Sequence, residues 1–349
     1  MSRLALLDPS KTGKSAQELE NRLSHLIVGQ QEAIHEIVRA YQMHLAGLAP
    51  TGRPVANFLF LGPTGSGKTR VVEATAESLL KNPRAVVKID CAEFQHSHEI
   101  AKLTGSPPGY LGHRETHSLL SQEVLNQQHT EKLKLSFVLF DEIEKASDAL
   151  WNLLLGILDK ATLTLGDNRK VDFSATMVFL TSNLGASEMS ALVNPRLGFR
   201  GYGDEDPSKM AACISRVGVE AARRRFTPEF MNRLDRIVVF KSLEKAELRK
   251  IVDIELEMVQ RRIDNASGDD SFMLNVSDDA REFLLVEGTD MRYGARPLKR
   301  AIERLLVQPI SNLVATGQIG KGDLVRVNHH DGAALTFFRE SRYVGTLAA

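Results

Sequence analysis

The sequence predicts an α/β fold in which a mostly parallel sheet lies between helices, followed by a small α+β domain. Short apolar runs alternate with helix-forming stretches as far as residue 240. The first run leads into a glycine-rich loop and then a helix, an order typical of phosphate-binding α/β proteins. Beyond Ser242 the apolar spacing becomes that of long amphipathic helices.

The spacing of apolar residues places the elements of the large domain. Residues 1–14 predict a flexible start, and 15–47 have helical spacing that is interrupted at Val28-Gly29-Gln30, which predicts a helix–loop–helix. One later helix contains Ala149–Lys160. Short apolar runs predict four strands, at residues 55–61, 85–91, 137–140 and 175–183.

We predict a domain boundary near residue 241, with the large domain over 15–240 and the small domain over 241–349. The small domain opens with a long helix for which Ser242 is the predicted N-cap, with Glu247 slightly out of capping-box register. Its remaining predicted elements are helices at 278–287 and 296–315 and strands at 272–276 and 323–330.

The overall composition excludes several classes of protein. Lys plus Arg and Asp plus Glu number 44 each, so no global basic surface predicts binding to nucleic acid or to a membrane. No apolar run is long enough for a bilayer span or a signal peptide. The two cysteines, Cys91 and Cys213, have no CxxC spacing, which favours a reduced, cytoplasmic protein.

The glycine-rich loop matches the pattern G-x-x-x-x-G-K-[ST] in full. Its backbone N–H groups and the following helix N-terminus are suited to phosphate oxygens. Lys68 is predicted to reach the β- and γ-phosphates of ATP, and Thr69 to bind Mg²⁺. The alternative, a turn that binds nothing, does not explain the strand before it and the helix after it. The candidate ATP-binding residues are Gly62, Pro63, Thr64, Gly65, Ser66, Gly67, Lys68 and Thr69.

Two carboxylates follow the apolar run Phe137–Phe140. Ligands bind at the carboxyl ends of strands in parallel sheets, so this is the expected edge for catalysis. Asp141 is predicted to hold Mg²⁺, and Glu142 to polarise the attacking water. The pair therefore predicts hydrolysis of ATP as well as binding.

At this point the chain resembles the Clp-type AAA+ ATPases, in particular the second ATPase module of ClpA, ClpB and ClpC. The resemblance extends from about Ala16 to about Val327. It is carried by LIVGQQEAI, GPTGSGKT, GSPPGYLGH, FDEIEKA, KVDFSATMVFLTSN, FTPEFMNRLDRIVVF and MRYGARPLKRAIER. It implies an AAA+ P-loop NTPase domain, a small Clp-type lid domain, and ATP and Mg²⁺ as ligands.

The resemblance implies further roles at the nucleotide. Asn183 matches sensor 1, with a strand-end cap as the alternative. Arg233 matches the arginine finger, which acts on the neighbouring subunit and so implies a homohexameric ring; Arg236 is a second candidate, and surface salt bridging is the alternative for both. Arg296 matches sensor 2. Ile27 and Val28 match the adenine-packing segment, with core packing as the alternative.

The segment Gly105–Gly112 resembles the principal pore loop of the family, whose aromatic residue grips unfolded or tagged polypeptide. Tyr110 offers a rigid apolar contact that suits any substrate sequence, and its alternative is a turn that folds the ring onto the core. Residues 166–170 correspond to a second pore-facing loop. His96 and His98 form an H-x-H pair that lacks a third metal ligand of suitable spacing. The candidate pore-loop residues are Gly109, Tyr110, Leu111 and Gly112, and Leu111 stands where the family usually has valine.

A tripeptide between Asn183 and Arg233 resembles the loop with which relatives dock on a ClpP-type peptidase; the alternative is that its phenylalanine packs in this protein's own core. Its residues are Leu197, Gly198 and Phe199. Only about 15 residues precede the resembling segment, so substrate choice is expected to depend on the pore, on an adaptor or on another protein.

The expected function is that of an ATP-driven hexameric protein unfoldase that threads polypeptide through a central pore, with delivery to a ClpP-type peptidase as a further expectation. The first alternative is an ATP-switched assembly or signalling module with a dedicated protein partner. The second, remodelling of nucleic-acid complexes, is disfavoured by the zero net charge.

Overall fold

The computed structural model describes residues 8, 11–105, 118–193, 207–267, 271–289, 294–330 and 334–340. Two units can be distinguished. The first takes in the chain up to Lys241 apart from Thr64–Ser66, and the second takes in those three residues and the chain from Ser242. No helix in the described ranges is long and apolar enough to cross a membrane.

The first unit is built on a five-stranded parallel sheet with the order β2-β3-β6-β1-β7. This confirms the predicted fold class. Two short strands form a separate antiparallel hairpin. The strands of this unit are β1 (Ala56–Leu61), β2 (Val87–Asp90), β3 (Ser136–Asp141), β4 (Thr162–Thr164), β5 (Lys170–Asp172), β6 (Thr176–Ser182) and β7 (Arg236–Val239).

Nine α-helices are described in the first unit. The predicted interruption at Val28–Gln30 falls between the first two of them. Single turns of 3₁₀-helix lie at Cys91–Glu93, Ser97–Ile100 and Ile143–Lys145. The α-helices are α1 (Lys14–Leu26), α2 (Gln31–Leu45), α3 (Lys68–Leu80), α4 (Ala101–Thr104), α5 (Gln122–Asn126), α6 (Asp148–Lys160), α7 (Ala186–Val193), α8 (Pro207–Arg225) and α9 (Pro228–Met231).

Both faces of the sheet are buried at its three inner strands, β1, β3 and β6, which explains why these are nearly continuous apolar runs. Alternate residues of β1 enter different cores: Phe58 and Phe60 pack with residues of α1, α2 and α3, whereas Leu59 and Leu61 pack with residues of α6. The rings of Phe58 and Phe179 stack with their centroids 5.1 Å apart. Tight packing on both faces holds the carboxyl ends of the strands in place.

The second unit has a three-stranded sheet with the order β10-β9-β8, in which β8 and β9 are parallel and β9 and β10 antiparallel. Its elements are α10 (Lys245–Ser267), β8 (Met273–Val276), α11 (Asp278–Gly288), α12 (Arg296–Ile302), a π-helical turn (Glu303–Val307), α13 (Gln308–Ala315), β9 (Leu324–Asn328) and β10 (Thr336–Glu340).

Two details of this unit differ from the predictions. Ser242 does not cap α10: the preceding residue is Glu244, whose N–H donates to Glu247 Oε2 at 2.8 Å, so Glu247 is in register after all. The single helix predicted at 296–315 contains the π-helical turn Glu303–Val307. Pro309 follows it, and a proline has no N–H and its ring clashes with the carbonyl four residues earlier, so the wider turn relieves that clash.

Candidate active site

The phosphate loop joins the end of β1 to the start of α3, where the sequence predicts it. Gly62 has φ 148°, and a Cβ there would lie 2.6 Å from the carbonyl oxygen of Phe240. Only glycine fits, because the loop passes directly over that backbone. The Gly62 N–H donates to the Ser182 oxygen at 3.2 Å. Gly67 has φ 98° and open space where a Cβ would lie, which leaves room beside the loop for a ligand.

The Lys68 ammonium is buried and lies at the centre of the site. Its Nζ donates to the carbonyl oxygens of Gly62 at 2.7 Å and Pro63 at 2.9 Å, and to Asn183 Oδ1 at 2.9 Å. These neutral acceptors hold the cation in a fixed position. Phosphate oxygens carry charge and are stronger acceptors, so they can replace these carbonyls.

Asp141, at the end of β3, contacts the residue predicted to share its metal. The Thr69 hydroxyl lies 3.3 Å from Asp141 Oδ2, and the Thr181 hydroxyl donates to Asp141 Oδ1. Lys88 Nζ lies 3.5 Å from Asp141 Oδ2. A hydroxyl and a carboxylate are hard oxygen ligands of the kind that Mg²⁺ uses beside phosphates, so this pair fits the ion.

Glu142 adopts a left-handed backbone conformation, with φ 59° and ψ 49°. For a residue with a Cβ this costs roughly 1–2 kcal/mol. The Glu142 N–H donates to the Thr181 hydroxyl at 3.1 Å, and Oε1 accepts from Asn183 Nδ2 at 3.3 Å. Oε2 forms an ion pair with Lys145. The hydrogen bond to Glu142 raises the pKa of Lys145, which stays charged beside the carboxylate.

Lys68, Glu142 and Asn183 are therefore brought together by the structure, with the Asn183 amide between the other two side chains. The Asn183 N–H donates to Glu144 Oε1 at 3.1 Å. The sequence prediction did not include Glu144, Lys145 or Thr181. Their signal was their spacing: Glu144 and Lys145 follow Glu142 within one turn, and Thr181 is near the end of β6, two residues before Asn183.

Cys91 is buried and follows β2, the strand that pairs with β3. Burial, with smaller contributions from Asp141 and its neighbouring carboxylates, raises the pKa of the Cys91 thiol. The thiol therefore stays protonated and unreactive.

Arg233 lies just after α9, and its guanidinium has partners in its own chain. Its Nη1 is 3.0 Å from Glu229 Oε1, its Nη2 is 3.6 Å from Asp159 Oδ2, and the side chain is 21% exposed. Arg236 is paired with Glu36 and is 56% exposed. Both arginines thus form salt bridges, which was the alternative to an arginine-finger role. Action of Arg233 on the nucleotide of a neighbouring subunit stays a prediction.

The structure does not test the remaining predicted nucleotide contacts, those of Ile27, Val28 and Arg296. Ile27 is only 4% exposed and packs in the core with residues of α1 and α2, as the core-packing alternative requires. Val28 is half-buried. Contact of either residue with adenine stays a prediction. Arg296 is exposed at the start of α12 in the second unit, and its role as sensor 2 also stays a prediction.

The predicted pore-loop residues Gly109, Tyr110, Leu111 and Gly112 and the predicted docking residues Leu197, Gly198 and Phe199 lie outside the described residues. The two ends of the first segment are described and come together, since the Leu120 N–H donates to the Leu103 oxygen at 3.2 Å. The neighbouring Thr104 oxygen accepts from the Gly166 N–H at 2.9 Å. The bases of the two predicted pore loops are thus joined by a hydrogen bond.

The His96 and His98 rings stack with centroids 5.6 Å apart. No group of three metal-ligating side chains occurs within the described ranges. The structure therefore adds no support for a metal at the H-x-H pair.

Two family models match the chain. The AAA domain (Cdc48 subfamily) matches residues 53–237, and the C-terminal, D2-small domain of ClpB protein matches residues 243–327.

The similar proteins include chaperones and a protease subunit. The chain is 40% identical to chaperone protein ClpB 1 of Parasynechococcus marenigrum (strain WH8102), over 90% of this chain and 34% of the relative. It is 37% identical to the ATP-dependent Clp protease ATP-binding subunit ClpC of Staphylococcus aureus (strain USA300), over 89% of this chain and 36% of the relative. It therefore spans about a third of the length of these curated relatives.

A solved structure is also similar over most of the chain. In a closed-state reconstruction of Hsp104 with ATPγS and FITC-casein, the match has a TM-score of 0.75 and 31% identity. It covers 93% of this chain and 52% of that one.

Proposed function

The chain belongs to the AAA domain family, as a Clp-type AAA+ ATPase with a ClpB-type D2-small domain, and we propose that it is an ATP-driven protein unfoldase. In this proposal a homohexameric ring threads unfolded or tagged polypeptide through its central pore. The relatives named ClpB are chaperones, and the Hsp104 structure was obtained with casein, which supports a protein substrate.

Each side chain of the nucleotide site has a proposed part in hydrolysis. Lys68 offsets charge on the phosphates, and the loop N–H groups between Gly62 and Thr69 orient them. Glu142 accepts a hydrogen bond from the attacking water and polarises it, while the Asn183 amide keeps the Glu142 carboxylate in position. Thr69 and Asp141 would hold Mg²⁺, which supplies charge stabilisation at the phosphates.

The observation that carries the threading proposal is the hydrogen bond from Gly166 to Thr104. It places the base of the Tyr110 segment beside the hairpin loop of residues 166–170. The same region is linked to the ATP site, since the Ser147 N–H, which follows the Glu142 turn, donates to the Phe94 oxygen at 2.9 Å. Phe94 in turn packs in the same buried core as Leu103, the neighbour of Thr104.

Substitution of Tyr110 tests this proposal. Tyr110→Ala removes the aromatic contact with substrate, so we expect ATP hydrolysis to persist and unfolding of a tagged fluorescent substrate to be lost. Tyr110→Phe keeps the ring and should retain most of the unfolding. Equal unfolding by the Ala variant and the wild type would contradict the pore-loop assignment.

Two further parts of the proposal depend on partners. Arg233 would complete the ATP site of the neighbouring subunit. A ClpP-type peptidase would dock on Leu197–Phe199, and the ClpC relative, a named protease subunit, supports this. The proposed location is the cytoplasm, and both cysteines are free thiols, as that location favours. A stable single partner without unfolding of model substrates would instead favour the ATP-switched assembly module.

A further inference from the structure

We infer that Glu144 is a positioning residue for ATP hydrolysis, because it holds the backbone of Asn183 where the Asn183 amide can reach both Lys68 and Glu142. The inference depends on the ATPase site alone and not on protein unfolding. Glu144 acts through Asn183, and its carboxylate has no assigned contact with the nucleotide.

The first step of the argument is where β6 ends. The parallel ladder between β3 and β6 stops at the pair Phe140 and Leu180, so the N–H of Asn183, just after β6, has no acceptor on that strand. Glu144 Oε1 accepts this N–H at 3.1 Å. On the other side, the Asn183 oxygen accepts the Ala186 N–H at 3.2 Å. The Asn183 backbone is thereby held from both sides.

The second step is what this backbone position allows. The Asn183 amide accepts from Lys68 through Oδ1 at 2.9 Å and donates to Glu142 through Nδ2 at 3.3 Å. Because one end of an amide only accepts and the other only donates, the two contacts determine its orientation. The asparagine side chain is short, so a shift of the backbone would break at least one contact.

The third step is that Glu144 is itself well anchored. Its backbone oxygen accepts from Arg225 Nη2 at 3.1 Å, and the Arg225 guanidinium lies 4.5 Å from the centre of the Trp151 ring. The preceding residue, Ile143, is fully buried in the core. The turn that carries Glu144 is thus held by the hydrogen bond from Arg225 and by the burial of Ile143.

The fourth step concerns the other carboxylate oxygen. Glu144 Oε2 is buried and has no hydrogen-bond partner in the described part of the chain. A buried polar atom without a partner costs roughly 1–3 kcal/mol. Because Glu144 Oε2 has no partner that would stabilise the fold, the hydrogen bond from the Asn183 N–H to Oε1 is the contact that accounts for a carboxylate at this position.

The experiment compares two substitutions of similar size. Glu144→Met removes the acceptor for the Asn183 N–H, and we expect kcat for ATP hydrolysis to fall at least roughly tenfold, since small displacements in an active site have effects of this order or larger. Glu144→Gln keeps a carbonyl oxygen and should restore most of the rate. Equilibrium binding of a fluorescent ADP analogue should change less than about twofold in both, since the Glu144 carboxylate has no assigned contact with the nucleotide.

A double-mutant cycle tests whether Glu144 acts through Asn183. The double variant Glu144→Met, Asn183→Ala should hydrolyse ATP no more slowly than Asn183→Ala alone. Glu131→Met, on an exposed loop, is the matched control and should behave as wild type. If Glu144→Met does not fold, Glu144→Asp, which keeps the charge but shortens the side chain, should show the loss of kcat.

Three results would overturn the inference: a wild-type kcat for the Met or Asp variant, a Gln variant as slow as Met, or losses that multiply in the double variant. A wild-type protein that hydrolyses no ATP would overturn it together with the ATPase assignment. Normal hydrolysis without protein unfolding would overturn only the proposed function.

Discussion

The turn from Glu142 to Lys145 concentrates three charged side chains at the nucleotide site. The left-handed conformation of Glu142 turns the chain sharply after β3, so that Ile143 enters the core and Lys145 returns to the Glu142 carboxylate. Glu142 then has Asn183 on one oxygen and Lys145 on the other. The local backbone strain thus belongs to the residue with the proposed catalytic role, as is common at active sites.

Glu142→Gln should separate nucleotide binding from hydrolysis. The amide cannot act as a base, so we expect kcat to fall by roughly 10² to 10⁴, the range for loss of general-base catalysis. Binding of a fluorescent ATP analogue should persist, because Lys68 and the loop backbone are unchanged. Glu131→Gln is the control, and turnover by Glu142→Gln near the wild-type rate would exclude Glu142 as the key carboxylate.

At the scale of elements, β1 contains one polar residue among apolar ones. Asn57 is fully buried, and its Nδ2 donates to the carbonyl oxygens of Leu158, at the end of α6, and Arg233, after α9. Its backbone N–H donates to Asp235 Oδ2 at 2.8 Å. One side chain therefore connects β1 to α6 and to the segment that carries the proposed arginine finger.

Asn57→Ala should destabilise the first unit. The change leaves the buried Leu158 oxygen without that donor, while the Arg233 oxygen keeps Arg53 Nη2 at 3.3 Å. The free energy of unfolding should therefore fall by roughly 1 to 3 kcal/mol. Urea denaturation followed by circular dichroism measures this. Asn21→Ala, at an exposed position of α1, should change it by less than about 0.5 kcal/mol. An unchanged urea midpoint for Asn57→Ala would show that these hydrogen bonds do not support the strand.

At the scale of the whole molecule, the proposed ring would bring Arg233 to the ATP site of a neighbouring subunit. Within its own chain the guanidinium is paired with Glu229 and Asp159. A phosphate of a neighbouring subunit would compete with these carboxylates, and arginine is suited to both because of its planar, bidentate geometry. In the structure the Arg233 guanidinium pairs with Glu229 and Asp159. In the proposed ring, a phosphate of the neighbouring subunit would replace these carboxylates.

Mixing two inactive variants tests action between subunits. Arg233→Ala and Glu142→Gln should each hydrolyse ATP slowly alone. In mixed rings, an Arg233→Ala subunit with an intact Glu142 can receive an intact arginine from a Glu142→Gln neighbour, so we expect activity to recover. Arg236→Ala is the matched arginine variant and should hydrolyse ATP alone. No recovery after subunit exchange would indicate that Arg233 acts within its own chain or only structurally.

Sequence patterns predicted much of the fold because local chemistry determines it. The four apolar runs became β1, β2, β3 and β6. The inner strands β1, β3 and β6 are buried on both faces and so must be almost continuously apolar. Strand β7 and helix α8 were not predicted as elements, because tertiary packing rather than a strong local pattern supports them. The π-helical turn before Pro309 depends on a local clash that periodicity does not reveal.

The candidate site likewise contains residues that the sequence identifies and contacts that only the tertiary structure reveals. Gly62, Lys68, Thr69, Asp141 and Glu142 could be identified because contiguous motifs carry them. Their mutual contacts, and the role of Thr181, could not, because they depend on strands that pair across long sequence separations. Lys145 is the exception, since it pairs with Glu142 within one turn.

The sequence by itself determined that this chain is a Clp-type AAA+ ATPase, since its phosphate loop, its paired carboxylates and the order of its motifs are local strings. Only the tertiary structure decided that Glu144 supports Asn183 and that Asn57 connects Leu158 to Arg233. These contacts join residues that are 39, 101 and 176 positions apart. The physical reason is that a hydrogen bond at such a separation exists only after the sheet order and the backbone turns have placed donor and acceptor within reach.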